Sequence, residues 1–291
     1  MKIYYYINTG HRVGLDRLRR SAPVIEALRE LDLEVTMLTN DFRAGEYAKE
    51  FYGIGKYISV DVVRNIANVA TPGDCLVFDS AEESRAMWED MADYFRGFVR
   101  IGDDPNDFIT KESGLVSPLA TGEGILTIDI VDPRYFESSE HGNENIYFWG
   151  DADYEMRLET LSKAFEGTDV ALLEGYYFFL RYADELQREF VKIYESQEYE
   201  EVLKSAKRFL TSSPQSALEA LAASSAPIYL PKPGADEVWE SHLSRFGIPV
   251  CSGFEKEKIQ KSLTEAKSYR DDLLRKSAAK ETAAYIKDKF S

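Results

Sequence analysis

Between Arg208 and Leu221 the chain reads Arg-Phe-Leu-Thr-Ser-Ser-Pro-Gln-Ser-Ala-Leu-Glu-Ala-Leu. This is a short strand ending in small hydroxyl residues, followed by a helix with a carboxylate in its early turns. Ser213 is suited to the N-cap and Pro214 to the first helical position, and Ala217, Leu218 and Leu221 continue the helix. A helix start presents free backbone N–H groups and the positive end of a dipole, which favours a phosphate. Ser212, Ser213, Gln215 and Ser216 are therefore candidate nucleotide contacts. Glu219 could accept hydrogen bonds from two vicinal hydroxyls, as a ribose offers. An ordinary capped helix of an α/β protein would use the same residues.

A second concentration of chemistry is basic. Arg12, Arg17, Arg19 and Arg20 cluster in a chain whose formal net charge is −16. Bidentate pairing with phosphate suits arginine, and salt bridges to the abundant carboxylates suit it equally. His11 and Asp16 in the same stretch are candidate general bases. Asp103 and Asp104 could orient a sugar or hold a divalent cation, and a turn at a strand end explains them as well. The run Tyr176-Tyr-Phe-Phe179 reads as core rather than as a stacking platform.

Composition narrows the classes. The 291 residues allow two domains, each with its own core, and 44% hydrophobic with 13% aromatic content describes a folded globular chain. The acidic balance disfavours nucleic acid and anionic membrane surfaces. Two cysteines, Cys75 and Cys251, and three scattered histidines give neither a disulfide framework nor a metal-ligand spacing. The apolar start is too short for a signal segment, and no run approaches a membrane span. The expected location is cytoplasmic, with no nucleic-acid partner, no membrane association and no required metal or cofactor.

Strand and helix patterns alternate, which implies parallel sheets with crossover helices. Strands are expected at Lys2–Ile7, Leu33–Leu38, Asp74–Asp79, Phe98–Ile101 and Gly124–Val131. The first helix should follow Ser21 as cap, with Pro23 in its first turn, and another should run from Ala81 to Phe95. The stretch 105–123 reads as loop and 132–144 as an interdomain linker. A second series places strands at Asn145–Gly150, Asp169–Leu173, Phe190–Ile193 and Pro227–Leu230, with helices at 154–165 and 198–206. The last thirty residues read as a charged helix that either lies solvated on the surface or crosses back onto the first domain. Two open α/β domains in series put their strand ends at a shared central cleft.

The order of these elements and loops resembles the GT-B nucleotide-sugar fold, two Rossmann-like domains facing a cleft. The groups it is most similar to are the UDP-sugar hydrolase of pseudaminic acid biosynthesis and, more distantly, the GlcNAc transferase that makes lipid II. In that group the first loop reads Gly-x-Gly-His-x-x-Arg, and Gly14-Leu-Asp-Arg-Leu-Arg-Arg20 lies along this frame. Ile25-Glu-Ala-Leu28 and Leu33-Glu-Val-Thr36 follow as the group's helix end and next strand. Phe148-Trp-Gly-Asp-Ala-Asp153 resembles the group's Phe-Gly-Gly-Ser-Asp-Pro opening of the second domain. Ser212-Ser-Pro-Gln-Ser-Ala-Leu-Glu219 resembles its Ser-Gly-Gly-Ser-Thr-x-x-Glu nucleotide loop, and Gly234-Ala-Asp-Glu237 echoes its Asp-Asn-Gln.

The resemblance implies domains at 1–140 and 141–265, with 266–291 as the C-terminal helix. It implies Gly14, Arg20, Asp79, Trp149, Gly150 and Asp151 at the sugar-diphosphate, and Asp236 with the serine loop and Glu219 at the nucleotide. The ligand implied is a UDP-sugar. The departures are specific. Arg17 stands where the group has its histidine and cannot act as a general base, which leaves His11 or Asp16. Pro214 and Gln215 replace the glycine pair that lets backbone approach phosphate. The expected function is a glycosyltransferase or UDP-sugar hydrolase with a divergent active site, in which Arg17 and Arg20 stabilise the leaving diphosphate. The alternatives are a transferase for a lipid-linked acceptor and a non-catalytic nucleotide-sugar binder. Oligomeric state is not legible.

Overall fold

A computed structural model describes residues 2–81, 84–137 and 140–291 of the chain. The chain divides into two compact units. The first comprises Met1–Gly10, Arg17–Pro133 and Arg275–Ser291, and the second comprises His11–Asp16 and Arg134–Leu274.

The first unit begins with β1 (Lys2–Ile7), α1 (Asp16–Glu30), β2 (Glu34–Thr39), α2 (Phe42–Tyr52) and β3 (Tyr57–Ser59). It continues with β4 (Cys75–Asp79), α3 (Arg85–Tyr94), β5 (Gly97–Ile101), β6 (Gly114–Ser117) and β7 (Ile125–Thr127). The strands form one parallel sheet in the order β3-β2-β1-β4-β5-β6-β7. Apolar runs such as Ile3-Tyr-Tyr-Tyr-Ile7 are buried throughout, as expected for strands covered on both faces. Tyr6, Leu38, Phe78 and Phe98 build the core on one face.

The second unit carries β8 (Asn145–Phe148), α4 (Leu158–Leu161), β9 (Val170–Leu173), α5 (Tyr182–Leu186), β10 (Ile193–Tyr194) and α6 (Tyr199–Ser205). Then come β11 (Arg208–Thr211), α7 (Pro214–Ala222), β12 (Pro227–Tyr229), α8 (Glu237–Ser244) and α9 (Lys256–Thr264). Its parallel sheet has the order β10-β9-β8-β11-β12. Tyr147, Phe165, Leu172, Leu210 and Ile228 sit in its core. The last helix, α10 (Ala278–Phe290), belongs to the first unit. There the Leu115 N–H donates to the Tyr285 hydroxyl at 3.0 Å, and that hydroxyl donates to the Gly124 carbonyl at 2.7 Å.

Several elements differ from expectation. Helix α1 starts at Asp16, five positions before Ser21, so Ser21 is not its cap and Pro23 lies in its interior. The Pro23 ring forfeits one backbone hydrogen bond, but Leu18, Val24, Ile25 and Leu28 are fully buried and hold the helix to the sheet. The stretch 105–123 contains β6, a four-residue strand flanked on both sides by others. Strand β7 is shorter than Gly124–Val131, and β10 starts at Ile193 rather than Phe190. The helix expected at 154–165 is one α-helical turn, α4, followed by a tighter 3-10 turn at Ser162–Phe165. Helix α3 begins at Arg85 behind Ser84 as cap, and residues 82 and 83 of the helix expected from Ala81 lie outside the described residues. The same holds for 138 and 139 of the expected linker. The charged tail is helical only from Ala278, after the short turn Asp271–Leu273.

Candidate functional site

Each sheet reverses its strand order once, between β1 and β4 in the first and between β8 and β11 in the second. Loops at the carboxyl ends of the strands flanking such a reversal are where open α/β sheets bind ligands. The chemistry-bearing residues fall at these two places.

In the first unit, Asp79 ends β4 and is fully buried. Arg20 grips it with both arms of its guanidinium, Nε at 2.8 Å from Oδ2 and a terminal nitrogen on Oδ1. The Ser21 hydroxyl donates to the same carboxylate at 3.0 Å, and Arg17 lies 3.4 Å away. Asp103, in the loop after β5, completes the group by pairing with both Arg17 and Arg20. Burial pulls Arg20 towards neutrality, but Asp103 and Asp79 more than offset it, so its pKa stands well above the ordinary value. Burial would likewise raise Asp103, but Arg20 and Arg17 outweigh it and lower its pKa. Two cations meet two anions, so the group carries no surplus charge. The arginine cluster read from sequence is thereby divided. Arg17 and Arg20 are paired in the first unit, Arg19 is buried, and Arg12 belongs to the second unit.

In the second unit, Ser213 caps α7 and Pro214 takes its first position, with the Ser216 N–H donating to the Ser213 hydroxyl at 3.0 Å. That hydroxyl in turn donates to Asp16 at 2.8 Å. A carboxylate therefore already lies at the positive end of α7, where it is favourable. Ser212 faces inward, donating to the Leu230 carbonyl at 2.5 Å and lying 3.0 Å from the Tyr147 hydroxyl. Glu219 is fully buried. Its carboxylate accepts from the Tyr199 hydroxyl at 2.6 Å and from the Gln215 amide at 3.0 Å. The Tyr199 hydroxyl also lies 2.7 Å from that of Ser216. Asp236 is elsewhere, exposed as the N-cap of α8.

The loop after β8 holds the segment His11–Asp16. The Leu15 N–H donates to Asp151 at 3.1 Å, and Gly14 packs on that side chain with φ +84, a backbone that favours glycine. Gly150, at φ +110, lies against the Lys232 amine. His11 stacks on Phe179 with ring centres 5.8 Å apart and meets Tyr177 at a tilt, 5.3 Å away. His11, Arg12, Trp149, Asp153, Tyr154 and Lys232 line a pocket of about 230 Å³.

Lys232 was not singled out from sequence. It follows β12 in the turn Pro231-Lys-Pro-Gly234, and its place just beyond a strand end was the available signal. Tyr199, likewise missed, reads locally as a helix residue. Among the described residues no three His, Cys, Asp or Glu side chains are grouped to hold a metal, and no helix is long and apolar enough to cross a membrane.

No family model matches the chain, and no curated protein matches its sequence. Solved structures do match over nearly its whole length. The UDP-GlcNAc 2-epimerase of Methanocaldococcus jannaschii, solved with UDP-GlcNAc and UDP, is 13% identical with a TM-score of 0.68, covering 99% of this chain and 100% of that one. The S. aureus protein MnaA, solved with UDP, is 13% identical at a TM-score of 0.65, covering 99% and 96%. A glycosyltransferase of Rickettsia africae is 13% identical at 0.54, covering 100% and 94%. Likeness at such identity defines architecture. The chain has the GT-B fold, two Rossmann-like units each built on a parallel sheet of 7 or 5 strands.

Proposed function

We propose that the chain binds a nucleotide-diphosphate sugar, with UDP as the nucleotide, and acts as a glycosyltransferase or UDP-sugar hydrolase. The observation that carries this reading is the capped start of α7 at the strand reversal of the second sheet. It lies in a chain whose fold matches, end to end, proteins solved with UDP or UDP-GlcNAc. The helix start would take a phosphate through its backbone N–H groups once the Asp16 carboxylate leaves Ser213. Gly14, Trp149, Gly150 and Asp151 belong with the sugar-diphosphate, and Ser212, Ser213, Gln215, Ser216 and Glu219 with the nucleotide. In the reaction, an acceptor hydroxyl or water forms a bond to the anomeric carbon while the bond from that carbon to the diphosphate oxygen breaks. The attacking oxygen loses its proton to Asp16 or His11, and the leaving diphosphate keeps the electron pair. Arg17 and Arg20 can stabilise that charge only by turning N–H groups away from Asp79 and Asp103. The reading invokes no cofactor and places the protein in the cytoplasm; the pseudaminic-type hydrolase and the lipid II-type transferase are its two nearest forms.

One observation favours a second reading, a non-catalytic nucleotide-sugar binder. Glu219 is already matched by Tyr199 and Gln215, and Arg17 and Arg20 are already neutralised. Calorimetric titration with UDP, against CMP, GDP and ADP, tests both. Micromolar UDP binding that is lost in Glu219→Ala supports the nucleotide loop, and turnover of a UDP-sugar, abolished by joint replacement of His11 and Asp16, supports the enzyme. UDP binding without turnover leaves the binder. No response to any of the four nucleotides sinks both.

A further inference from the structure

The pocket beside β8 and β12 is charged differently from its surroundings. Arg12 lies with its guanidinium 4.4 Å from the centre of the Tyr154 ring and makes no ion pair among the described residues. Lys232 sits 4.6 Å over the Trp149 ring. Among the described residues its hydrogen bond is a long one, 3.5 Å, to the Ala152 carbonyl. Asp16, Asp153 and Asp151 favour the charged form of Lys232 from a distance, but among the described residues no acid forms an ion pair with either cation. Asp153 is turned into the protein, where it accepts from Arg157 N–H at 3.0 Å, Leu158 N–H at 2.8 Å and the Tyr182 hydroxyl at 2.7 Å. Glu155 pairs with the Arg157 side chain.

Two further polar groups are unpartnered among the described residues. Trp149 is 2% exposed and its indole N–H has no acceptor among the described residues. His11 Nδ1 is also buried and has no hydrogen-bond partner among the described residues. A buried polar group without a partner costs on the order of 1–3 kcal/mol, and two cations without an ion pair among the described residues are a further departure in a chain of net charge −16. An anion in the pocket would answer Arg12 and Lys232 directly, with Trp149 and His11 in its wall.

We propose that this pocket binds a carboxylate carried on the sugar ring of the substrate, so that the preferred ligand is an acidic sugar of the uronate type. The donors here are side chains. The backbone N–H groups that would favour a phosphate are at the start of α7, while those at the start of α4 are spent on Asp153. Two flexible cations and a planar indole N–H suit the flat, two-oxygen shape of a carboxylate. The proposal rests on the nucleotide-sugar reading for the remainder of the ligand and on the pocket alone for its charge.

The test is a titration of the full chain, labelled at tryptophan, with D-glucuronate, D-glucose and inorganic phosphate in turn. The indole N–H resonance of Trp149 is assigned by its loss in Trp149→Phe. Glucuronate is expected to move that resonance while glucose at the same concentration does not. Lys232→Met should weaken the response by about tenfold or more, the worth of a hydrogen bond to a charged group. Equal responses to glucuronate and glucose, or none to either, overturn the proposal. A response to phosphate without one to glucuronate overturns the carboxylate assignment. UDP titrated into the same sample reports the nucleotide reading separately. A glucuronate response without UDP binding removes that reading and leaves the pocket standing.

Discussion

At the strand reversal of the first sheet, Arg17 and Arg20 meet Asp79 and Asp103, charge against charge. At that of the second, Arg12 and Lys232 face a pocket, and among the described residues no carboxylate forms an ion pair with either. The first arrangement has repaid its own desolvation through ion pairs and hydrogen bonds. The second has left part of that cost outstanding, together with the unpartnered indole of Trp149. Balanced groups of this kind hold a fold in register, and unbalanced ones are where a ligand gains affinity, because the protein has already borne the cost of burying the donors.

The sharpest way to break the comparison is to unbalance the first group. Asp79→Ala leaves the Arg20 guanidinium in place without the more deeply buried of its two carboxylates, and removing one partner of a buried pair typically costs about 3–5 kcal/mol. Urea unfolding should register a loss of that size. A loss below about 1 kcal/mol, as at exposed pairs, would show that the group is solvated and that the contrast with the pocket does not hold.

Acid should discriminate next. The folded-state pKa of Asp103 lies below its unfolded value, so its contribution to stability is complete above the unfolded value near pH ~3.9 and is lost as pH falls through the folded one. The stability gap between the native chain and Asp103→Asn should therefore be flat above about pH 5 and close on further acidification. Denaturation midpoints of both proteins across that range measure it, and a gap that persists unchanged to the lowest accessible pH would contradict the pairing with Arg20 and Arg17.

The contrast also marks what could be read in advance. The capped start of α7 was legible because Ser213, Pro214 and the apolar spacing after them are local signals, Arg17 and Arg20 stood out as a basic cluster in an acidic chain, and Asp79 came from the family resemblance. Their pairing was not legible, since Arg20 and Asp79 are 59 positions apart and only the β1–β4 reversal joins them. Two extra turns of α1 escaped notice because Ser21 and Pro23 mimic a helix start, whereas the Arg17 and Arg20 pairs anchor the earlier one. Strand β6 escaped because Gly114-Leu-Val-Ser117 is four residues long and buried on both faces, with no alternation to betray it. The occupancy of Glu219 by Tyr199 and the exposure of Lys232 to a pocket are likewise products of packing, in segments whose local sequence shows a helix start and a proline turn.

The smallest effect probes the second group by itself. Burial pulls the Lys232 amine below its ordinary pKa, outweighing Asp16, Asp153 and Asp151, which would raise it, and with Arg157 acting in the same sense as burial. The unfolded chain, with lysine near pKa ~10.4, then binds more protons than the folded one between the two values, so stability rises with pH across that window. Lys232→Met should match or exceed the native chain at neutral pH by less than about 1 kcal/mol, and the native chain should regain that difference as pH approaches ~10. Glucuronate present during the same series adds the missing anion, restores the preference for the charged amine, and should flatten the pH dependence of the native chain while leaving that of Lys232→Met unaltered. If the difference between the two proteins does not vary with pH, the amine is hydrated in the folded state. The pocket would then hold no outstanding cost for a ligand to relieve, and the distinction between the two strand ends would reduce to geometry.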